Sequence, residues 1–411
     1  MKNLFVSFLC GLALVGCSQH PSVQVTVNNP LGIARSGEMV EISADMVFQR
    51  LALADTAQIV IYNEQAEEVP YQLTYDSKIV FPASVDSCDV ARYIIQEGTP
   101  ALVNAQVFGR HYPERLDDIA WENDKSGYRL YGPAILNRGD QLYGYDVFTK
   151  SVPDLVLEDR YERELDPEAR QLANAWRAAG KKAEADSLLQ AISYHVDHGT
   201  GMDVYDVGPT LGAGLAVLMT DSVHPAYSKA YQEYEILDNG PLRFTVKLTF
   251  APLAVNGDSV VETRYIQLDR GALLNKTTVS YDCLSATTPI AAGIVLHQQH
   301  PDGYVHNTEK GYVAYADSTN NAHNDNGVIY VGVVFPQPLT ATKVVPLDQP
   351  AGSAIGHVMG VTDYQPGDLF TYYWGSGWSK AGILSVDDWT DSMERVAAQV
   401  RTPLEVFINE E

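Results

Sequence analysis

Hydrophobic and polar positions alternate along much of this chain, in short runs cut by turn residues. Val23 to Val27 is apolar at every second position, and Met39 to Ile42 is similar. Ile59 to Tyr62 is an apolar run followed by polar Asn63, and Lys78 to Phe81 stops at Pro82. Runs of this length and spacing predict a small β-sandwich over residues 23–100. From Leu242 onward the runs lengthen. Arg243 to Phe250, Glu262 to Leu268, Lys276 to Tyr281 and Val328 to Val334 all read as strands. Long strands with polar outer faces mean antiparallel sheet. The expected fold is mainly β: a large antiparallel β-sandwich over residues 101–411, the small N-terminal β-sandwich and a few short helices.

Helical spacing occurs in two places. Asp166-Pro167-Glu168 is a helix start, with Asp as N-cap and Pro at the first helical position. Leu172, Trp176 and Ala179 follow at helical spacing, and Gly180-Lys181-Lys182 breaks the segment into two short helices. Trp176 is expected to pack rather than to act. Near the end, Trp389, Met393, Val396, Ala397 and Val400 share one helical face. Pro403 follows, and Leu404 to Ile408 reads as a last strand.

The first residues change the picture of where the chain resides. Met1-Lys2-Asn3 is a short positive region, Leu4 to Val15 is apolar, and Leu14-Val15-Gly16-Cys17 resembles a bacterial lipobox. The apolar run is too short to span a bilayer. Residues 1–16 are therefore expected to be a lipoprotein signal peptide, with lipidation at Cys17 and a linker over 17–22. The alternative is an ordinary secretion signal. The lipid reading implies a cell-envelope lipoprotein, in the outer membrane facing the periplasm, that meets the membrane only through its anchor. Of the four cysteines, Cys10 leaves with the signal and Cys17 carries lipid. Cys88 and Cys283 remain, and an oxidising envelope would permit a disulfide between them.

The 411 residues carry a net charge of −24. Such acidity argues against nucleic acid and against an anionic membrane surface as partner. An anionic ligand would have to meet a local cationic pocket. There is no GxSxG, P-loop or HExxH motif. Gly208 to Gly214 is glycine-rich but lacks the context of a dinucleotide site.

Four segments hold candidate chemistry. Phe108 to Pro133 packs Arg110, Arg115, Lys125 and Arg129 beside Glu114, Asp117, Asp118, Glu122 and Asp124, with His111, Trp121 and several tyrosines between them. It alternates like neither a half-buried strand nor an amphipathic helix. Tyr194 to Gly199 brings His195, Asp197 and His198 together, with Asp203 and Tyr205 shortly after. Gly293 to His297 is an apolar strand ending in a histidine, with His300 close behind. Trp374 to Lys380 places Trp374 and Trp378 among glycines.

Three of these segments, the block at 108–133, Tyr194 to Gly214 and Tyr372 to Gly382, resemble a family of lipoproteins from saccharolytic bacteria. That family is catalogued chiefly as a domain of unknown function and is found with polysaccharide-degradation enzymes. One member type is similar to an ulvan oligosaccharide dehydratase. The resemblance implies a carbohydrate-active eliminase that acts on ulvan-like or pectin-like acidic oligosaccharides. It would be either a dehydratase or a lyase, and would leave an unsaturated uronate.

Elimination from a uronate needs a cation to neutralise the carboxylate. It also needs a base for the proton beside that carboxylate and an acid for the leaving oxygen. His195, His198, Tyr194 and Asp197 are the candidate catalytic residues. His195, Asp197 and His198 could instead hold a divalent metal, or sit in a turn whose histidines bond to backbone; no cofactor is certain. Arg110 and Arg115 could clamp the carboxylate bidentately, or pair internally with Asp117, Asp118, Glu122 or Asp124. Trp121 could stack on a sugar face or anchor its loop. Asp203, His297, Trp374, Trp378 and Lys380 complete the candidate substrate contacts, with a core-sealing role open for the tryptophans. Two other readings remain: a non-catalytic glycan-binding lipoprotein, and a glycoside hydrolase that pairs Glu122 or Asp124 with Asp203.

Overall fold

The computed structural model describes residues 21–221, 223–318 and 325–408. The expected signal peptide and the lipidation site Cys17 lie outside these residues. The described chain is mainly β, with antiparallel sheets and a few short helices.

The N-terminal runs form two small sheets. One contains Ser22–Asn28, Val90–Glu97, Ile59–Tyr62 and Glu68–Val69, and the other Arg35–Ser43, Lys78–Val85 and Gln72–Leu73. Val25, Ile61, Ile79 and Phe81 pack between them. The last strand of the chain, Glu405–Ile408, completes the first sheet by pairing with Ser22–Asn28. The small sandwich is thus built from both ends of the described chain.

The large part holds a nine-stranded sheet and a five-stranded sheet around one core. Asp258–Asp269, Leu274–Asp282 and Phe370–Trp378 lie side by side in the first, and Ala213–Met219, Thr288–His297 and Ala354–Tyr364 in the second. Helix Val386–Arg401 is capped by the Ser385 hydroxyl and seats Trp389, Met393 and Ala397 on the outer face of the nine-stranded sheet. The helix pair expected after Asp166 is present as Pro167–Ala178 and Lys182–Ile192. Its apolar face is poorly covered, however: Leu172 is exposed and Trp176 only half-buried.

The block at 108–133 supplies three strands of a four-stranded sheet: Phe108–Tyr112, Asp118–Glu122 and Gly127–Leu130, joined by Asp146–Phe148. The second and third are buried at every position. Both faces of these strands are covered, which removes the alternation and forces their charged residues to find partners inside the protein.

Cys88 and Cys283 are separate, exposed thiols, so the disulfide that an oxidising envelope would permit is not formed. Each sits in a left-handed backbone conformation.

Candidate active site

The four-stranded sheet carries a buried charge cluster centred on Arg129. Pairing sets Arg129 opposite Asp146, and Asp118 begins the strand on the other side. Arg129 Nε donates to Asp146 at 2.9 Å, Nη2 to Asp203 at 2.7 Å, and Nη1 to the Tyr194 hydroxyl at 3.1 Å. The Tyr131 hydroxyl bonds to the same Asp146 oxygen. Asp118 stands 3.8 Å from Arg129 and 4.0 Å from Arg115, with its Oδ1 buried and unpartnered. Burial pushes the Asp118 carboxyl up to about 6 against the pull of both guanidiniums. Burial likewise raises Asp203, with Arg129 opposing. Three carboxylates therefore share a site in which two arginines supply the positive charge.

The segment from Tyr194 to Asp203 folds back across this sheet. The Asp203 amide donates to the Tyr194 carbonyl at 2.9 Å, and Asp203 bridges to Phe148. Gly201 makes the close approach feasible: it has a φ of +105°, and a Cβ there would lie 2.1 Å from the Thr149 carbonyl oxygen. Gly132 does the same for the opposite rim, where a Cβ would lie 2.0 Å from the Asp117 carbonyl oxygen.

Above the buried cluster, two side chains, His195 and Arg115, reach solvent, and each contacts the buried Tyr194. The His195 ring is 57% exposed, and its Nδ1 lies 2.7 Å from the Asp203 carbonyl oxygen. A carbonyl oxygen only accepts, so Nδ1 donates; in the neutral ring the lone pair then lies on Nε2, which has no hydrogen-bond partner among the described residues. The Asp203 carboxylate, 3.7 Å from Nδ1, would stabilise the ring once charged. Arg115 donates from Nε to the Tyr194 hydroxyl at 3.1 Å and is one-quarter exposed. The Tyr194 ring is buried, packs edge-on against His195, and has its hydroxyl between Arg115 and Arg129. Burial raises this phenol despite the two guanidiniums, so it stays protonated. A cation, a phenol and a base with a fixed tautomer thus lie together.

Residues 27–406 match the family described as Domain of unknown function (DUF4861). The chain belongs to the DUF4861 family. An uncharacterized protein of Formosa agariphila is 23% identical over 430 residues, covering 99% of this chain and all of the relative. Among solved structures, an alpha-mannosidase from Enterococcus faecalis V583 is 7% identical with a TM-score of 0.45, over 95% of this chain and 46% of that one. A glycosyl hydrolase family 38 protein from Enterococcus faecalis has the same identity and TM-score, over 96% of this chain and 48% of that one. The DUF4861 chain spans about half the length of these solved chains.

Of the residues singled out in the sequence of this DUF4861 chain, Arg115, Tyr194, His195 and Asp203 converge. Asp203 lies beneath His195 and is bonded to Arg129, so it positions the imidazole rather than touching a ligand. The others are placed differently. Asp197 accepts the Gly199 and Gly201 amides and holds the turn. His198 contacts the Ser193 carbonyl. His195, Asp197 and His198 therefore do not converge, and no group of three metal-ligating side chains is assembled among the described residues. Arg110 is held by Glu158 at 2.8 Å and Glu114 at 2.7 Å, which leaves it no free charge for a substrate.

The tryptophans expected as sugar platforms are core residues. Trp121 bonds to Asn275 and stacks on Phe244, and Trp374 stacks on Tyr145 at 3.9 Å with its indole N–H on Thr277. Trp378 is buried and donates to the Asn326 carbonyl. Lys380 leans over the Trp378 ring, 3.9 Å from Asp325. Each indole N–H is satisfied inside the protein, so these rings seal the sandwich. His297 is buried against Asp317 at 3.1 Å, with Nε2 toward the Asp206 backbone but without a hydrogen bond of normal geometry. His300 bonds to the Ala316 carbonyl. Glu122 holds Lys150 at 2.6 Å and accepts the Val156 and Leu157 amides, while Asp124 pairs with Lys125 and accepts the Gly271 amide. Neither carboxylate pairs with Asp203 across a cleft.

Arg129, Asp118, Asp146 and Tyr131 were not among the expected site residues. The signal available was Asp146 inside the apolar run Tyr145 to Phe148. A carboxylate enclosed by buried neighbours must have a cationic partner.

Proposed function

We propose that the chain is a carbohydrate-active eliminase that acts on uronate-containing oligosaccharides of ulvan-like or pectin-like chemistry. Arg115 takes the sugar carboxylate and offsets the charge that develops on it. His195 Nε2 removes the proton from the adjacent carbon, and the charged imidazole is stabilised by Asp203. The C–H electron pair forms the ring double bond as the neighbouring C–O bond breaks. The Tyr194 hydroxyl gives its proton to the departing oxygen. Water leaves in a dehydratase and a shortened sugar in a lyase; the two differ only in what that oxygen carries.

The observation that carries this reading is the fixed His195 tautomer, with Nε2 unpartnered among the described residues and the ring packed against Tyr194, whose hydroxyl accepts from Arg115. A pure glycan-binding module needs exposed ring platforms and no poised base, and the tryptophans offered for that role are buried. The site would face the periplasm on a lipid-anchored envelope protein, with Cys17 as the anchor.

Incubation with ulvan and pectin oligosaccharides tests the proposal. Ultraviolet absorbance of the conjugated unsaturated uronate should rise with time. A flat trace across the uronate panel, with oligosaccharide still bound, would favour the binding module instead.

A further inference from the structure

A cavity of about 420 Å³ lies where three parts of the chain meet: strand Arg35–Ser43 of the small sandwich, the nine-stranded sheet around Arg270 and Lys276, and helix Val386–Arg401. None of its lining residues belongs to the Arg115–Tyr194–His195 site. Its volume is within the range of small-ligand sites, roughly 300–1,000 Å³.

The charges around the cavity are unevenly matched. The acids that face it are occupied: Glu38 by Arg35 at 2.8 Å, Glu41 by Lys78 at 2.8 Å, and Asp269 by Arg243 at 2.6 Å. Arg243 also reaches Glu41, so its own charge is balanced. Arg270, Lys276 and Arg395 line the same space and have no side-chain partner among the described residues. The Tyr373 hydroxyl joins them, kept protonated by burial that pushes its pKa up to about 12. Met39 and Leu274 give the wall apolar surface. Like charges gathered at one cavity repel one another unless an anion lies between them. In a chain of net charge −24, such a local group is what an anionic ligand needs against the overall field.

We propose that this cavity is a second, non-catalytic site for an acidic saccharide, held through its carboxylate or sulfate groups by Arg270, Lys276 and Arg395. The sugar part of the proposal rests on the function proposed above, and the charge part on the three unpartnered cations. Such a site would keep a chain of acidic sugars close to the protein while another stretch reacts, through the effective concentration that two linked contacts create.

Calorimetric titration of the full chain tests this, with trigalacturonate, a sulfated trisaccharide and neutral maltotriose as probes. Arg115→Ala should still bind an acidic probe and should not bind maltotriose. Adding Lys276→Ala and Arg395→Ala should weaken that binding about tenfold or more, a loss of at least about 1.4 kcal/mol. Both side chains lack partners, so thermal melts of this variant should match the parent. The two acidic arms tell carboxylate from sulfate. Unchanged affinity in the triple variant, equal binding of maltotriose, loss of all binding in Arg115→Ala, or no binding of either acidic probe would each overturn the proposal. A chain that binds here but makes no unsaturated uronate would instead sink the elimination reading and leave this site standing.

Discussion

His195 and His297 both stood out in the sequence, and both use Nδ1 for a hydrogen bond, yet they have opposite surroundings. His195 bonds to a backbone carbonyl at the surface and keeps Nε2 free. His297 is buried, bonds to the Asp317 carboxylate, and lacks access to any ligand. The partner decides the role. A carbonyl fixes the tautomer without supplying a full charge, whereas a buried carboxylate holds the imidazole as half of an ion pair. The shifts agree: Asp317 raises the His297 pKa against burial, and burial raises Asp317, so the pair retains a shared proton.

The largest stability effect should come from the floor beneath His195. Arg129→Met leaves Asp146 and Asp203 buried without their cation and should cost about 3–5 kcal/mol in denaturant unfolding. A loss under about 1 kcal/mol would mean that the cluster does not support the site.

A smaller effect concerns pH. Between pH about 4 and about 6 the folded chain holds a proton on Asp118 that the unfolded chain has lost, so stability from this group falls as pH rises through that window. The shift corresponds to on the order of 3 kcal/mol at most. Asp118→Asn removes this slope, so its stability relative to wild type should improve from pH 4 to 7. The His297–Asp317 pair has a later window. The raised His297 pKa gives stability that is complete below about pH 6.5 and is lost as pH rises through the folded value. His297→Gln should therefore cost most at low pH and least at high pH. A difference that does not vary with pH in either variant would contradict the corresponding assignment.

The smallest effect is expected at Arg110. Its carboxylate partners are surface groups, so Arg110→Ala should change stability by no more than about 1 kcal/mol and leave kcat/KM unchanged. A marked rise in KM would restore it as a substrate clamp.

Much of the fold was legible in the chain because period-two patterning survives wherever a sheet has one wet face, as in Ser22–Asn28 and Asp258–Asp269. It was not legible in Asp118–Glu122 or Gly127–Leu130, which are covered on both sides. The return of Glu405–Ile408 to the first strand is a long-range pairing that local pattern does not encode. For the proposed site, Arg115 was offered by residue type alone, and Tyr194-His195 by residue type beside glycines. The tryptophans misled because indole suits a sugar platform and a sealed core equally well, and only the partners of each N–H decide. Asp146 stood out only as a carboxylate in an apolar run, and Arg129 was hidden because cross-strand register is what places it opposite Asp146.

The most direct test compares formation of unsaturated uronate by wild type, His195→Ala and His297→Ala, normalised to folded protein. His195→Ala should lose about 10²–10⁴-fold in rate, the usual worth of a positioned base, while His297→Ala keeps most of the rate. Turnover at the wild-type rate in His195→Ala, or an equal loss in His297→Ala, would contradict the assignment of the base.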